Sequence, residues 1–247
     1  MLYENKAFWR NPPAAFFTFV MPLMFLVIFN LVFGNNEMEI SGGTTHFSTF
    51  YVPAILALSV ISACYTNIAI GLCISRDRGT LKRLKGTPLP TWVFLFGRIV
   101  HTIFIALLLV IIVLTIGVIF YNVSVSLNTI LAFVLTLVIG SATFSSLGIA
   151  TTALVTNADA APAVVNASIL PLMFVSDIFF PMQDAPGWVN RLTYIFPVKP
   201  FSSALQSAFN PFETGTGIEI GDLTILCLWM TFGIIASIKF FTWEPKN

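Results

Sequence analysis

The chain has 247 residues, of which 57% are hydrophobic and only 9% are charged, and its formal net charge is +1. Water-soluble domains carry about 25% charged residues, so a chain this apolar is predicted to use a lipid bilayer as its solvent. The small net charge gives no indication of nucleic acid as a partner.

The first 13 residues, MLYENKAFWRNPP, mix aromatic, acidic and basic side chains ahead of the first long apolar run. This mixture is typical of a helix that lies along the membrane interface. We predict an interfacial elbow helix over 1–13, with Phe8, Trp9 and Arg10 among its anchors. A frayed tail held by the tryptophan is the alternative.

Six apolar runs follow, each close to the roughly 20 residues that a helix needs to cross the hydrocarbon layer. The 60 residues from Ile99 to Ala158 contain no Asp, Glu, Lys or Arg, and the polar stretch YNVSVSLN divides them into two spans. The predicted spans are 14–33, 50–74, 99–120, 128–155, 162–180 and 222–241. The predicted fold is therefore an all-α membrane protein with six transmembrane helices, forming a single domain over 1–247.

The basic residues are distributed unevenly between the two sides of such a domain. If both termini and the loop 75–98 face the cytoplasm, ten of the 12 Lys and Arg residues lie on that side. Because cytoplasmic loops are enriched in Lys and Arg, we predict a multi-pass protein of the cell membrane with both termini cytoplasmic. In a bacterium this is the inner membrane.

The segment 181–221 is too polar to span the membrane and too apolar for an unstructured loop. Its prolines divide it into short pieces, so we predict a broken helical or re-entrant segment on the outer side. Asp177 lies just before it, at the end of the fifth span. An acidic residue at the edge of a span is a candidate functional group. An interfacial aspartate that caps the turn into the outer segment is the alternative.

The loop 75–90, SRDRGTLKRLKGTPLP, holds five of the 12 basic residues. Thr80 is a candidate N-cap and Gly86 a candidate helix end, which predicts a short, stiff helix between them. This helix would present Leu81 and Leu84 on one exposed face, surrounded by cations. A topology signal that lies against anionic headgroups is the alternative; it explains the cations but not the stiffness.

The motif RDRGTLKRLKGTPLP after the second span resembles the membrane subunits of ABC-2 type transporters, and FFPMQDAPGWVNRLTYIFPVKP resembles the segment after their fifth span. The resemblance implies that 80–86 is a coupling helix, on which a separate ABC ATPase subunit pushes when it binds ATP and Mg²⁺. It also implies a second membrane subunit, identical or homologous. The residues implied to contact the ATPase are Arg76, Asp77, Arg78, Gly79, Thr80, Leu81, Lys82, Arg83 and Leu84. The loop 156–161 is implied to be a smaller contact.

The sequence contains no GxxxxGK[ST] motif and no acid–base or nucleophile constellation, so the chain is predicted not to be an enzyme and to hold no cofactor or metal of its own. The predicted function is the transmembrane subunit of an ATP-driven exporter of an amphiphile, such as a drug, antibiotic, lipid or glycolipid. An ion-coupled carrier or a channel is the alternative; it would need ionisable groups within the spans, for which Asp177 is the one marginal candidate.

Polar residues at roughly helical spacing on the second and fifth spans are candidates for lining the transport pathway. Hydrogen bonding between helices is the alternative role for each of them. Asp177 joins this group, although it stands where the family pattern leads us to expect a glycine. The candidate pathway residues are Ser62, Thr66, Asn67, Asn166 and Asp177.

Overall fold

The structure is a computed structural model that describes residues 12–33, 37–40, 43–88, 90–121, 123, 126–179, 186–212 and 215–244. The predicted elbow residues Phe8, Trp9 and Arg10 lie outside these residues.

The described residues are mostly helical, as predicted for an all-α protein. The elements are α1 (Pro12–Phe33), β1 (Glu37–Ile40), β2 (Gly43–His46), α2 (Ser48–Asp77), α3 (Thr80–Lys85), α4 (Thr91–Tyr121), α5 (Ile130–Thr151), α6 (Ala161–Phe174), α7 (Gly187–Thr193), α8 (Val198–Phe209) and α9 (Ile220–Phe240).

An antiparallel hairpin of β1 and β2 joins α1 to α2, with Glu37 paired to His46 and Ile40 paired to Gly43. The sequence analysis did not predict these strands. The adjacent β-branched residues Thr44 and Thr45 favour the extended backbone that β2 adopts.

Four of the described helices, α2, α4, α5 and α9, are long and apolar enough to span a membrane. Helix α6 and the stretch Thr18–Val32 of α1 are shorter apolar helices. The chain is therefore a multi-pass membrane protein.

Helices α4 and α6 differ most from the predicted spans. Helix α4 begins at Thr91 rather than at 99, because a helix can start directly after Pro90 and no breaker follows. Helix α6 ends at Phe174 rather than at 180. Val175 already leaves the helical conformation, and Asp177 adopts a left-handed φ of 57° that turns the chain. The predicted outer segment 181–221 contains α7 and α8.

Helix α2 is the most buried of the four long apolar helices, and a π-helical turn, Ser62–Thr66, interrupts it. This turn packs closely on α5, where a Cβ atom added to Gly148 would lie 2.7 Å from the carbonyl oxygen of Tyr65. The close approach of this turn to α5 therefore requires a glycine at position 148. The Tyr65 hydroxyl also lies 2.9 Å from Thr151 Oγ1 on α5 and 2.6 Å from Ser168 Oγ on α6, so the turn connects three helices.

Helices α5 and α9 share the most extensive contact between two elements. Hydroxyl groups bridge them: Thr143 Oγ1 donates to Leu226 O at 3.1 Å, and Ser146 Oγ donates to Met230 O at 3.4 Å. In the reverse direction, Ser237 Oγ donates to Ser146 O at 2.9 Å. Small hydroxyl residues suit this contact because helices in lipid associate through close packing and hydrogen bonds.

The packing at Gly148 can be tested by adding one methyl group. Gly148→Ala should lower the melting temperature of the detergent-purified protein, because the methyl group overlaps the α2 backbone and overpacking costs about 1–3 kcal/mol. Gly221→Ala is the control, since it adds the same methyl group to a helical glycine whose Cβ atom would meet open space. Equal melting temperatures for the two variants would contradict this packing.

Candidate functional site

A glycine turn sets the direction of α3. Gly79 has a φ of 70°, a left-handed conformation that glycine adopts without strain, and it occupies the N-cap position. The amide of Arg83 donates to Gly79 O at 3.2 Å and begins the helix. Thr80 is therefore the first residue of α3, and the prediction that it is the N-cap is wrong.

At the other end of α3, Thr87 caps the last turn. Its amide and its hydroxyl both donate to Leu84 O, at 3.0 and 2.6 Å. Gly86 follows the helix with a right-handed φ of −72°, so the left-handed helix end that its position suggests is absent at this residue.

Leu81 is only 1% exposed, because α3 folds back against the ends of α2 and α4 instead of protruding. The prediction that both leucines are exposed is therefore wrong for Leu81. Leu84 is partly buried on the same cluster. The buried members of this cluster are Ile68, Leu72, Leu81, Phe94, Leu95 and Ile149.

The exposed residues of α3 and of the turn before it are positively charged. We call Arg78, Lys82, Arg83 and Lys85 the basic face; all four are exposed in the described structure. The last three lie in the final turn of α3, where cations interact favourably with the helix dipole. This face is the strongest candidate for an electrostatic contact with a partner.

Arg76, which was predicted to contact the ATPase, is only 2% exposed. Its Nη2 atom donates to Val155 O at 2.7 Å and to Thr156 O at 3.2 Å, and its Nη1 atom donates to Thr152 O at 3.2 Å. The guanidinium thus holds the end of α2 against the turn after α5. Sequence reasoning did not predict these contacts inside the chain, which take up the Nη donors of Arg76.

Asp77 forms a second connection to the same loop. Its Oδ2 atom accepts a hydrogen bond from Ala158 N at 2.5 Å, and its Oδ1 atom lies 3.8 Å from Arg76 Nε. The loop 156–161, which was predicted to be the smaller partner contact, is thereby fixed to the start of α3. The two predicted contact regions form one continuous surface.

At the far end of the molecule, Asp177 forms a largely buried ion pair with Lys199 of α8. Gln206 Nε2 donates to Asp177 O at 3.2 Å and adds a second link between α8 and the turn after α6. Sequence reasoning missed this pairing because the two residues lie 22 positions apart. The negative charge of Asp177 is therefore compensated within the chain.

A pocket of about 300 Å³ lies beside this ion pair. It is lined by Phe50, Asp177, Asn190, Tyr194, Lys199, Ser203 and Gln206. Burial raises the pKa of the Tyr194 hydroxyl, the hydrogen bond with Ser203 lowers it in part, and the charges of Asp222, Asp177 and Glu219 raise it further. The Tyr194 hydroxyl, 3.2 Å from Ser203 Oγ, therefore stays protonated at neutral pH.

Four of the candidate pathway residues lie away from Asp177, in the region where α2 meets α1 and α6. Ser62 and Thr66 are half-buried on the π-helical turn, and Asn67 Nδ2 donates to Thr18 Oγ1 of α1 at 2.7 Å. Asn166 is half-buried on α6, which packs against that turn. The polar residues of α2 and α6 thus belong to one region, with Asp177 beyond it.

A family model described as ABC-2 type transporter matches residues 1–210. The probable multidrug ABC transporter permease YbhR of Escherichia coli K12 is 24% identical over 163 residues, which cover 66% of this chain and 44% of that protein. The inner membrane transport permease YadH of the same strain is 24% identical over 220 residues, covering 88% of this chain and 81% of YadH. The chain thus spans less than half the length of YbhR.

The role of Arg76 leads to a stability prediction. Arg76→Met should lower the free energy of unfolding by about 1–3 kcal/mol, because the buried carbonyl groups of residues 152–156 lose their donor. Arg78→Met removes an exposed arginine two positions away and is the matched control. Melting temperatures of the purified variants check this, and equal values would contradict the bracing role of Arg76.

The ion pair at the far end leads to a second prediction. Lys199→Met and Asp177→Asn should each destabilise the protein, Lys199→Met by about 3–5 kcal/mol because it leaves a buried carboxylate unpaired. The double variant should be more stable than the sum of the single changes implies. A double-mutant cycle on melting temperature measures this coupling, and strictly additive effects would show that the pair contributes none.

Proposed function

Because the chain belongs to the ABC-2 type transporter family, we propose that it is the membrane subunit of an ATP-driven exporter. ATP and Mg²⁺ are bound by a separate ATPase subunit in this proposal, and a second membrane subunit, identical or homologous, completes the pathway. The family match over residues 1–210 and the relatives with permease names support the transport role.

The proposed topology has six spans, α1, α2, α4, α5, α6 and α9, with both termini in the cytoplasm of a bacterial cell. The concentration of Lys and Arg at the α3 end supports this orientation, since cytoplasmic loops carry most basic residues. Helices α7 and α8, with the pocket beside Asp177, then lie on the outer side.

The observation that carries the proposal is the basic face, mounted on a helix that the rest of the chain holds in place. Arg78, Lys82 and Arg83 are its proposed contacts with the ATPase, and Gly79, Thr80 and Leu84 lie beside them. Arg76 and Leu81 are buried and have a supporting role in this proposal. Their contacts fix α3 to α2, α4 and the end of α5. A force applied to α3 is therefore passed directly to the spans.

We propose an amphiphile as the cargo. The apolar helices, with hydroxyl and amide groups at Ser62, Thr66, Asn67 and Asn166, suit a ligand that has a large apolar part and few polar groups. The name multidrug permease, which is printed for YbhR, supports the same class.

The docking role of the basic face can be tested by charge reversal. The chain is co-expressed with candidate Walker-motif ATPases from the same genome, and the one that co-purifies through a tag on this chain is used. Lys82→Glu with Arg83→Glu should lower the affinity for that protein about ten-fold, a loss of about 1.4 kcal/mol. The physical reason is that two favourable charges at the interface become repulsive.

Arg191→Glu is the matched control, because Arg191 is exposed on α7 at the far end of the molecule. It should leave co-purification unchanged. Failure of the unaltered chain to retain an ATPase would overturn the proposed function, while full retention by the Lys82 and Arg83 variant would overturn the docking site alone. Stimulation of ATP hydrolysis by drug or lipid amphiphiles then tests the cargo class.

A further inference from the structure

The segment that follows α9 contacts the buried side of α3. We call Phe241–Glu244 the FTWE segment. Phe241 leaves the helix with an extended ψ of 128°, while its amide still donates to Ser237 O at 3.1 Å. The segment lies outside the part of the chain that the family model matches, so its role must be argued from its own contacts.

Aromatic rings join the FTWE segment to the base of α4. The ring centroid of Trp243 lies 5.4 Å from that of Phe94 and 5.2 Å from that of Phe241. Phe241 and Phe94 are also in contact, with centroids 6.2 Å apart. These three rings extend the cluster that buries Leu81 and partly buries Leu84, so the segment supports α3 from below.

Polar contacts connect the same segment to residues on either side of α3. Thr242 Oγ1 accepts a hydrogen bond from Arg76 Nη1 at 3.5 Å, just before the helix. Glu244 Oε1 lies 3.4 Å from Lys85 Nζ at the last residue of the helix. The Lys85–Glu244 ion pair is about half exposed and contributes little stability. The aromatic rings therefore attach the FTWE segment to α4, and the polar contacts fix the alignment of the segment with α3.

Without this support, the buried contacts of Leu81 would hold α3 on one side only, and the glycines at its two ends would give little resistance to tilting. Gly79 precedes the helix and Gly86 follows it, and the helix itself has only six residues. A push on the basic face would then rotate α3 about its ends instead of moving the spans. The FTWE segment opposes this rotation because it contacts Arg76, Lys85 and the Leu81 cluster together.

We propose that the FTWE segment is a brace that holds α3 in its force-transmitting position, with Trp243 as the main positioning residue. Through the segment, a movement of α3 is also passed to α9, which lies along α5. This inference rests on the proposed function for its effect on transport, but the position of α3 can be measured without an ATPase.

The first experiment measures the position of α3 in the purified chain alone. Leu81→Cys is introduced in a Cys227→Ser background, because Cys64 and Cys73 are buried and Cys227 is only partly so. Trp243→Ala should raise the rate of maleimide labelling at position 81 about ten-fold, as loss of the brace exposes the site, and Trp243→Phe should restore most of the protection. Trp188→Ala, which alters a tryptophan that is 70% exposed at the far end, should change nothing.

The second experiment measures coupling in the complex with the ATPase. Trp243→Ala should keep co-purification within about two-fold of the unaltered chain, because the basic face is intact. It should lower cargo transport per ATP hydrolysed about ten-fold. Joining Lys85→Cys to Glu244→Cys with a short bis-maleimide in the Trp243→Ala chain should restore coupling.

Unchanged labelling at position 81 and unchanged transport in Trp243→Ala would together overturn the brace. Loss of labelling protection without loss of coupling would also overturn it, because α3 would then transmit force without support. Failure of the unaltered chain to bind any ATPase would instead overturn the proposed function and leave the labelling result standing.

Discussion

The α3 end of the molecule depends on the hydrogen bonds of one buried guanidinium. The chain that follows α5 turns so that Thr152 O, Val155 O and Thr156 O all face the end of α2. Arg76 supplies donors to all three from the end of α2. A cation also suits a helix C-terminus electrostatically, so the cost of burying the charge is offset where the carbonyl dipoles converge. The start of α3 is fixed as a consequence.

The far end is held by a different kind of contact. Asp177 and Lys199 compensate each other's charge away from water, and Gln206 adds a hydrogen bond to the Asp177 backbone. Because Asp177 sits in a left-handed turn directly after α6, the ion pair fixes that turn to α8. Asp177, which sequence reasoning treated as a candidate for lining the transport pathway, thus links α6 to α8 in this structure.

Hydropathy was sufficient to predict the long helices, because a stretch such as Thr91–Tyr121 is apolar on every face and has no other stable environment. The short helix was predicted from Thr80, Gly86 and the proline that follows, although Gly79 and not Thr80 occupies the N-cap position. The direction of individual side chains could not be predicted. Leu81 and Arg76 turn inward because of partners on α4 and after α5, which sequence spacing does not reveal. The contacts of Trp243 were missed for the same reason, since Phe94 lies far away along the chain.

Because the α3 end is rigid, relative movement of the helices is expected elsewhere in the structure. Helix α3, the end of α5 and the FTWE segment are joined by buried contacts, so under the proposed function a push on the basic face would move them together. Helix α2 would receive this movement, and it carries the π-helical turn, from which Tyr65 reaches Ser168 on α6. One residue beyond the turn, Asn67 reaches Thr18 on α1. These are single hydrogen bonds between polar side chains, which exchange partners at lower cost than interlocked apolar packing. Relative movement of the spans is therefore expected first where α2 meets α1 and α6, the region that also contains Ser62, Thr66 and Asn166.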